Sequence, residues 1–286
     1  MLYEIAIADA YGAGFEFAAP ELIARHNDLS HYIPHQLYGM LGNYTDDTQM
    51  SMALAELLIA DADWTALNIA DQFVKCFKRD PRQGYSKGFY AVLQQVENGQ
   101  QLLTTLRALS SRNGAAMRAV PLGIIANKQQ LLACAKQQAA ITHNTPVGIA
   151  SSCAVALAAH YGLYQLGELS QLPAFLQSEG FADWNYNWQQ AVTVEAFDTV
   201  SAALSCLLRH DNLADLLQSC VALSGDTDSV AAIAVGIASC FTSYRKNLPE
   251  QLKHNLNEPK YGLSYLAELD KKLLAKVNRL VVKEVI

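Results

Sequence analysis

The chain has 286 residues, 51% of them hydrophobic, which is enough to bury a sizeable core. Its 21 Lys and Arg against 27 Asp and Glu give a net charge of −6, which excludes a surface built throughout for nucleic acid. The six cysteines form no C-x-x-C pair and sit mostly in apolar stretches, so they read as reduced thiols of a cytoplasmic protein.

From the N-terminus onward the pattern is helix after helix, and β-branched alternation is almost absent. The first apolar stretch has no basic n-region and is broken by Glu4 and Asp9, so it is a poor signal peptide. Apolar spacing and propensity predict helices over 50–60, 69–77, 89–97, 119–127, 129–142, 147–165, 194–208, 213–223, 229–244 and 263–280. Asp80-Pro81-Arg82-Gln83-Gly84 reads as a helix end, and Asn144-Thr145-Pro146 as a loop with Pro146 opening the next helix. The aromatic and polar stretch 183–188 is expected as a surface loop or lid edge. Residues 280–285 fit either a short strand or a continuation of the last helix. No run is expected to have both the length and the hydrophobicity of a membrane span; 230–241 comes nearest. Without a Ser/Gly linker, charge block or repeat, one domain over 1–286 is expected, with a monomer as the default.

Two distant segments stand out. Tyr44-Thr45-Asp46-Asp47-Thr48 and Gly225-Asp226-Thr227-Asp228-Ser229 each gather carboxylates and hydroxyls just before an apolar helical run. Like charges that close raise one another's pKa unless a cation compensates. Hard oxygen donors of this kind suit Mg²⁺ or Mn²⁺. One such cluster alone reads as a helix N-cap, where Asp and Thr are favoured and the dipole stabilises anions. Two matched clusters favour a shared cation pocket.

Further motifs flank them. Asp9-Ala10-Tyr11-Gly12-Ala13-Gly14-Phe15-Glu16 is similar to a G-D-A-x-G-x-x-x-E pattern, Asn113 to Arg118 to N-G-x-x-M-R, and Thr142-His143 to a T-H motif. Residues 44–49 look like a TDDT block, and 225–232 like G-D-T-D-[ST]-x-A-A. Taken in order over nearly the whole chain, these motifs resemble the ADP-ribosylglycohydrolase family, which includes the dinitrogenase-reductase-activating glycohydrolases. The resemblance implies an all-α, compact multi-helix orthogonal bundle with a binuclear Mg²⁺ or Mn²⁺ centre in a central cleft. It implies hydrolysis at ribose C1″ of ADP-ribose joined to an acceptor, by preference a protein arginine. The metal ligands carried over are Thr45, Asp46, Asp47, Asp226, Asp228 and Ser229, with Glu16, Asp46 and Asp226 as the catalytic carboxylates. The implied partners are ADP-ribose and an ADP-ribosylated protein; from composition no membrane is expected, and nucleic acid is the disfavoured reading. The chain departs from the family at Ala8 and Ser224, where glycine is frequent. It departs again at Ser111-Arg112, where some relatives carry an adenine-stacking aromatic and a glycine. The alternatives are a protein that binds ADP-ribose or serves a structural role without turnover, and a hydrolase of serine-linked, small-molecule or nucleic-acid-linked ADP-ribose.

Cleavage at C1″ passes through an oxocarbenium-like state and needs a carboxylate for proton transfer. Glu16 is the candidate, on a loop that Gly12 and Gly14 would make flexible; its alternative is a surface glutamate. Asn113 and Gly114 read as a turn with N–H groups for a diphosphate, or as a plain helix start. His143 reads as a phosphate or ribose partner or as a structural histidine, and Arg118 as a phosphate contact or a surface residue. Tyr85 and Ser86, between Gly84 and Gly88, either line the cleft or form an ordinary loop. His31 and His35 have zinc-helix spacing, but Pro34 and the missing glutamate rule that out. The Lys-rich tail reads as a solvated helix face.

Overall fold

The computed structural model of the protein describes residues 1–284, with side-chain surroundings through Val277. Its helices in chain order are α1 (Leu2–Ala13), α2 (Pro20–His26), α3 (Asp46–Ile59), α4 (Ala66–Arg79), α5 (Lys87–Gln95), α6 (Gly99–Thr105), α7 (Lys128–Ala140), α8 (Pro146–Leu163), α9 (Leu172–Ser178), α10 (Ala196–Arg209), α11 (Leu213–Ala222), α12 (Thr227–Ala238), α13 (Glu250–His254) and α14 (Leu263–Glu284). Among the described residues the only β pairing is isolated bridges, such as Val192 with Gly225. The fold is therefore all-α, as expected.

A helix apolar on every face has to be buried on every face. That holds for α12, whose residues Thr227 to Ala238 are all buried, and for most of α1. The α12 helix packs against α1, α8, α10 and α11. Small side chains let these backbones approach closely. A Cβ at Gly12 would lie 2.5 Å from the Asp228 Cα, and Thr227 Oγ1 donates to the Gly12 carbonyl at 2.8 Å. The C-terminal end of α1 is thus pressed against the N-terminal end of α12. Side-chain caps start α3, α4, α6, α7, α8 and α11 at Thr45, Thr65, Asn98, Asn127, Thr145 and Asn212. Each contributes about 1 kcal/mol.

Several expectations change. The predicted helix over 119–127 is a 3₁₀ turn over Val120–Ile124, with Pro121 near its start. Gly123 there packs flush on α8, where a Cβ would lie 2.7 Å from the Ala159 Cβ. The short helices α2, α6, α9 and α13 carry too few periodic positions to be read from spacing. The stretch 183–188 is irregular but not superficial: Trp184 and Trp188 are buried. They pack on Phe197 of α10, at centroid distances of 6.0 and 6.4 Å. Helix α8 does have membrane-span length and composition, with 18 residues at mean hydropathy 1.3. It is a core helix here, buried from Ser151 to Gly162. The backbone of 280–284 continues α14 and forms no strand; Val285 lies outside the described residues. All six cysteines are buried and free.

Candidate active site

The two acidic segments meet. Asp46 and Asp47 occupy the first turn of α3, and Asp226 to Ser229 open α12. Both line one cleft of about 430 Å³ together with Glu16. The close α1–α12 contact fixes one side. Asp9, fully buried on α1, fixes the other by gripping the start of α3. It accepts from Thr45 N at 3.0 Å, Thr45 Oγ1 at 2.8 Å, Thr48 N at 3.0 Å and Thr48 Oγ1 at 2.5 Å. The second segment is set by Gly225, whose φ of 83° is a left-handed conformation natural to glycine. Its turn is clamped to the chain at Val192, with Val192 N donating to Ser224 O and Asp226 N to Val192 O, both at 3.0 Å.

The floor gathers more negative charge than the protein neutralises. Glu16, Asp226 and Asp228 each offer a carboxylate oxygen within 4.8 Å of the others. Asp47 Oδ1 and Asp228 Oδ1 are buried without a hydrogen-bond partner among the described residues. Burial, then Asp9, pushes Asp46 and Asp47 well above the usual carboxylate range. Burial, then Glu16, does the same to Asp228. Asp226 is pushed up to about 6, chiefly by burial. Orphaned buried oxygens and crowded carboxylates are the donor set that a divalent cation satisfies, so these residues fit one. Ser229 lies among them at the cleft surface. Thr45 sits behind them: its hydroxyl donates to Asp9 and accepts weakly from Asp47 N at 3.4 Å. Asn113 reaches the same floor, where its amide donates to Asp226 and, at 3.0 Å, to Thr199 Oγ1. It orients a carboxylate in addition to lining the cleft.

The opposite wall is cationic. Arg118 is fully buried, which corrects the surface reading, and it lines the cleft. Among the described residues no carboxylate forms an ion pair with it. It donates to Gln138 and, at 2.7 Å, to Thr142 Oγ1, and its guanidinium lies 4.7 Å from the Phe73 ring centroid. Burial lowers it to about 9, so it stays cationic at neutral pH. Because Thr142 Oγ1 accepts from Arg118, its own hydrogen is free for His143 Nδ1, 2.6 Å away. With that hydrogen directed at the ring, Nδ1 accepts and the ring proton sits on Nε2. Burial, reinforced by Arg118 and Arg112, pulls His143 down to about 3, which keeps it neutral. The missing side chain of Gly114 makes room for the ring; a Cβ there would lie 2.7 Å from His143 Cε1. Tyr85 is buried in the wall, donating to Gln49 Oε1 at 2.8 Å, while Ser86 is exposed at the mouth. Lys87, Arg107 and Arg112 are exposed around the same opening.

Glu16 is partly exposed and enters the cleft between the two ends. The loop carrying it is packed, not flexible as expected. A Cβ at Gly14 would lie 2.6 Å from Ile33 Cγ1. Phe17 follows in a left-handed conformation, φ 49°, secured by its N–H to Gly225 O at 2.8 Å. Spacing could not reveal the roles of Asp9 and Thr142, since each depends on a contact across the fold. For Asp9 and Thr142 the only sequence signal is membership of a motif.

Comparison with known proteins agrees with this geometry. The family model for ADP-ribosylglycohydrolase matches residues 2–281. Human ADP-ribosylhydrolase ARH3 is 27% identical, over 69% of this chain and 70% of its own. The ADP-ribosyl-[dinitrogen reductase] glycohydrolase of Rhodospirillum rubrum is 27% identical over 80% of both chains. ADP-ribosylarginine hydrolase Tri1 of Serratia proteamaculans is 24% identical over 87% of this chain and 72% of its own. A solved structure described as an ADP-ribosylglycohydrolase-related protein complex superposes with a TM-score of 0.74 at 20% identity, covering 97% of this chain and 95% of that one, and so shares the fold. The chain therefore belongs to the ADP-ribosylglycohydrolase family, enzymes that hydrolyse ADP-ribosyl glycosidic bonds.

Proposed function

We propose that this protein is a divalent-metal-dependent hydrolase that releases ADP-ribose from a modified protein side chain, arginine by preference, by cleavage at ribose C1″. The observation that carries the reading is the pair of orphaned buried oxygens, Asp47 Oδ1 and Asp228 Oδ1, one in each of the two acidic segments that line the cleft. Asp46, Asp47, Asp226 and Asp228, with the hydroxyl of Ser229, would hold one or two Mg²⁺ or Mn²⁺ ions, and Thr45, whose hydroxyl donates to Asp9, would support that set from behind. When bound, such ions supply the positive charge that orients ribose hydroxyls and offsets the carboxylates.

The remaining steps belong to the chain. The acidic floor takes the ribose. The cationic wall takes the diphosphate, with the His143 Nε2–H as a neutral donor and the Asn113-Gly114 turn beside it. Arg118 supplies buried positive charge behind them. Glu16, partly exposed and at the junction of the two ends, accepts the proton of the water that attacks C1″. The bond from C1″ to the acceptor nitrogen breaks, its electrons leave with the acceptor, and the acceptor takes up the proton. General base catalysis of this kind is worth about 10²–10⁴-fold. The preference for arginine follows the relative whose name specifies ADP-ribosylarginine.

One assay panel tests this. The protein is incubated with arginine-, serine- and nucleic-acid-linked ADP-ribose, with Mg²⁺ or with EDTA. Release from the arginine substrate, abolished by EDTA, is the expected result. Release from another linkage alone would move the acceptor class, and binding of ADP-ribose without any release would replace hydrolysis by a binding role.

A further inference from the structure

His35 has no part in the zinc motif its spacing suggested, yet its ring is almost fully buried against Glu16. The His35 Nε2 lies 2.8 Å from Glu16 Oε2. The other ring nitrogen settles the direction of that bond. His35 Nδ1 faces the backbone N–H of Leu37 at 3.0 Å and that of Tyr38 at 3.4 Å. Both are obligatory donors, so Nδ1 is an acceptor and carries no hydrogen. A neutral imidazole then has its proton on Nε2, where it donates to Glu16. The loop that presents the ring is itself closed, with His35 N donating to Met40 O and Gly39 N to His35 O, each at 2.8 Å. Tyr38 packs over the ring at 4.7 Å between centroids. Glu16 Oε1, in contrast, has no hydrogen bond among the described residues, and Glu16 lines the cleft.

We propose that His35 is a positioning residue for Glu16: its Nε2–H pins Oε2, leaving Oε1 as the oxygen presented to water at C1″. This rests on the reading of Glu16 as the base. A carboxylate tethered through only one oxygen keeps one rotamer without losing its reactive oxygen to the tether. Untethered, the glutamate samples other rotamers, and displacements near 1 Å at a reacting centre cost about 10²-fold.

The two amide isosteres of histidine separate positioning from loop-building. His35→Asn keeps an acceptor near Nδ1 for the Leu37 and Tyr38 N–H groups but cannot reach Glu16. His35→Gln places an N–H near Nε2. On an arginine-linked ADP-ribosyl peptide with Mg²⁺, His35→Asn is expected to lower kcat by about 10–100-fold with KM within about twofold, while His35→Gln stays within about threefold of wild type. Asparagine at wild-type kcat while Glu16→Gln is inactive overturns the proposal, as does glutamine failing as badly as asparagine. A Glu16→Gln variant with wild-type turnover sinks the base assignment instead. A second readout needs no turnover: ¹⁵N-histidine NMR of the whole protein should show His35, identified by its loss in His35→Gln, as the Nε2–H form. The Nδ1–H form would overturn the proposal whether or not the enzyme folds with asparagine there.

Discussion

Replacing His143 by glutamine should change how the protein responds to acid. The wild-type ring is held down to about 3 by burial and by Arg118 and Arg112, whereas in the unfolded chain it titrates near 6.5. The folded value is the lower one, so the unfolded state binds the proton first. The stability tied to the neutral ring is fully present above pH 6.5 and is lost as the pH falls from there towards 3. The loss is about 1.4 kcal/mol per pH unit below 6.5, hence about 2 kcal/mol at pH 5. Glutamine offers an amide donor at the same place and does not titrate. Urea unfolding of wild type and His143→Gln at pH 7.5 and pH 5 gives four free energies, and the difference of differences cancels the other titrating groups. The variant should lose about 2 kcal/mol less than wild type across that interval. Equal losses, within about 0.5 kcal/mol, would mean that the folded ring protonates freely and that the Arg118–Thr142–His143 chain does not set its state.

Asp228→Ala should leave the helical circular dichroism intact and weaken Mg²⁺ binding by at least about tenfold in calorimetry. Unchanged affinity would remove Asp228 from the ligand set. Gly225→Ala forces a side chain into a left-handed turn against the Val192 carbonyl and should cost about 2 kcal/mol or more, read by thermal unfolding. A neutral result would show that this clamp can relax. Asp9→Asn replaces one acceptor oxygen by an amine facing the donors of Thr45 and Thr48, and should destabilise by about 2–4 kcal/mol in denaturant titration. A loss under about 0.5 kcal/mol would mean that α3 holds its start without Asp9.

Most of the long helices were legible from propensity and apolar spacing, although α1, buried on nearly every face, is not among those predicted, and the acidic floor was legible because charge that dense has few uses. What stayed hidden depends on distance across the fold. Nothing near Asp9 in the chain announces that it receives four donors from residues 45 and 48. The glycines at 12 and 14 look like flexibility when read locally, but each marks a place where another segment is in contact. Residues 119–127 carry a helical periodicity that Pro121 and the contact of Gly123 with α8 override. Trp184 and Trp188 sit among polar neighbours, so only the facing Phe197 shows that they belong to the interior. Spacing alone sets His35 beside His31, whereas across the fold its partner is Glu16.

The cluster 226–229 hangs from α12, a rod enclosed on all sides, whereas Glu16 stands on the packed turn that follows α1 and its side chain is held by His35 from the segment 35–40. Substitutions around residues 35–41 can therefore retune the reach of the base, and with it which acceptors are cleaved, without disturbing the anionic end. In the other direction, if the acidic end holds a cation as proposed, heat should release it only when the interior itself melts, while turnover fades earlier as the segment bearing His35 loosens.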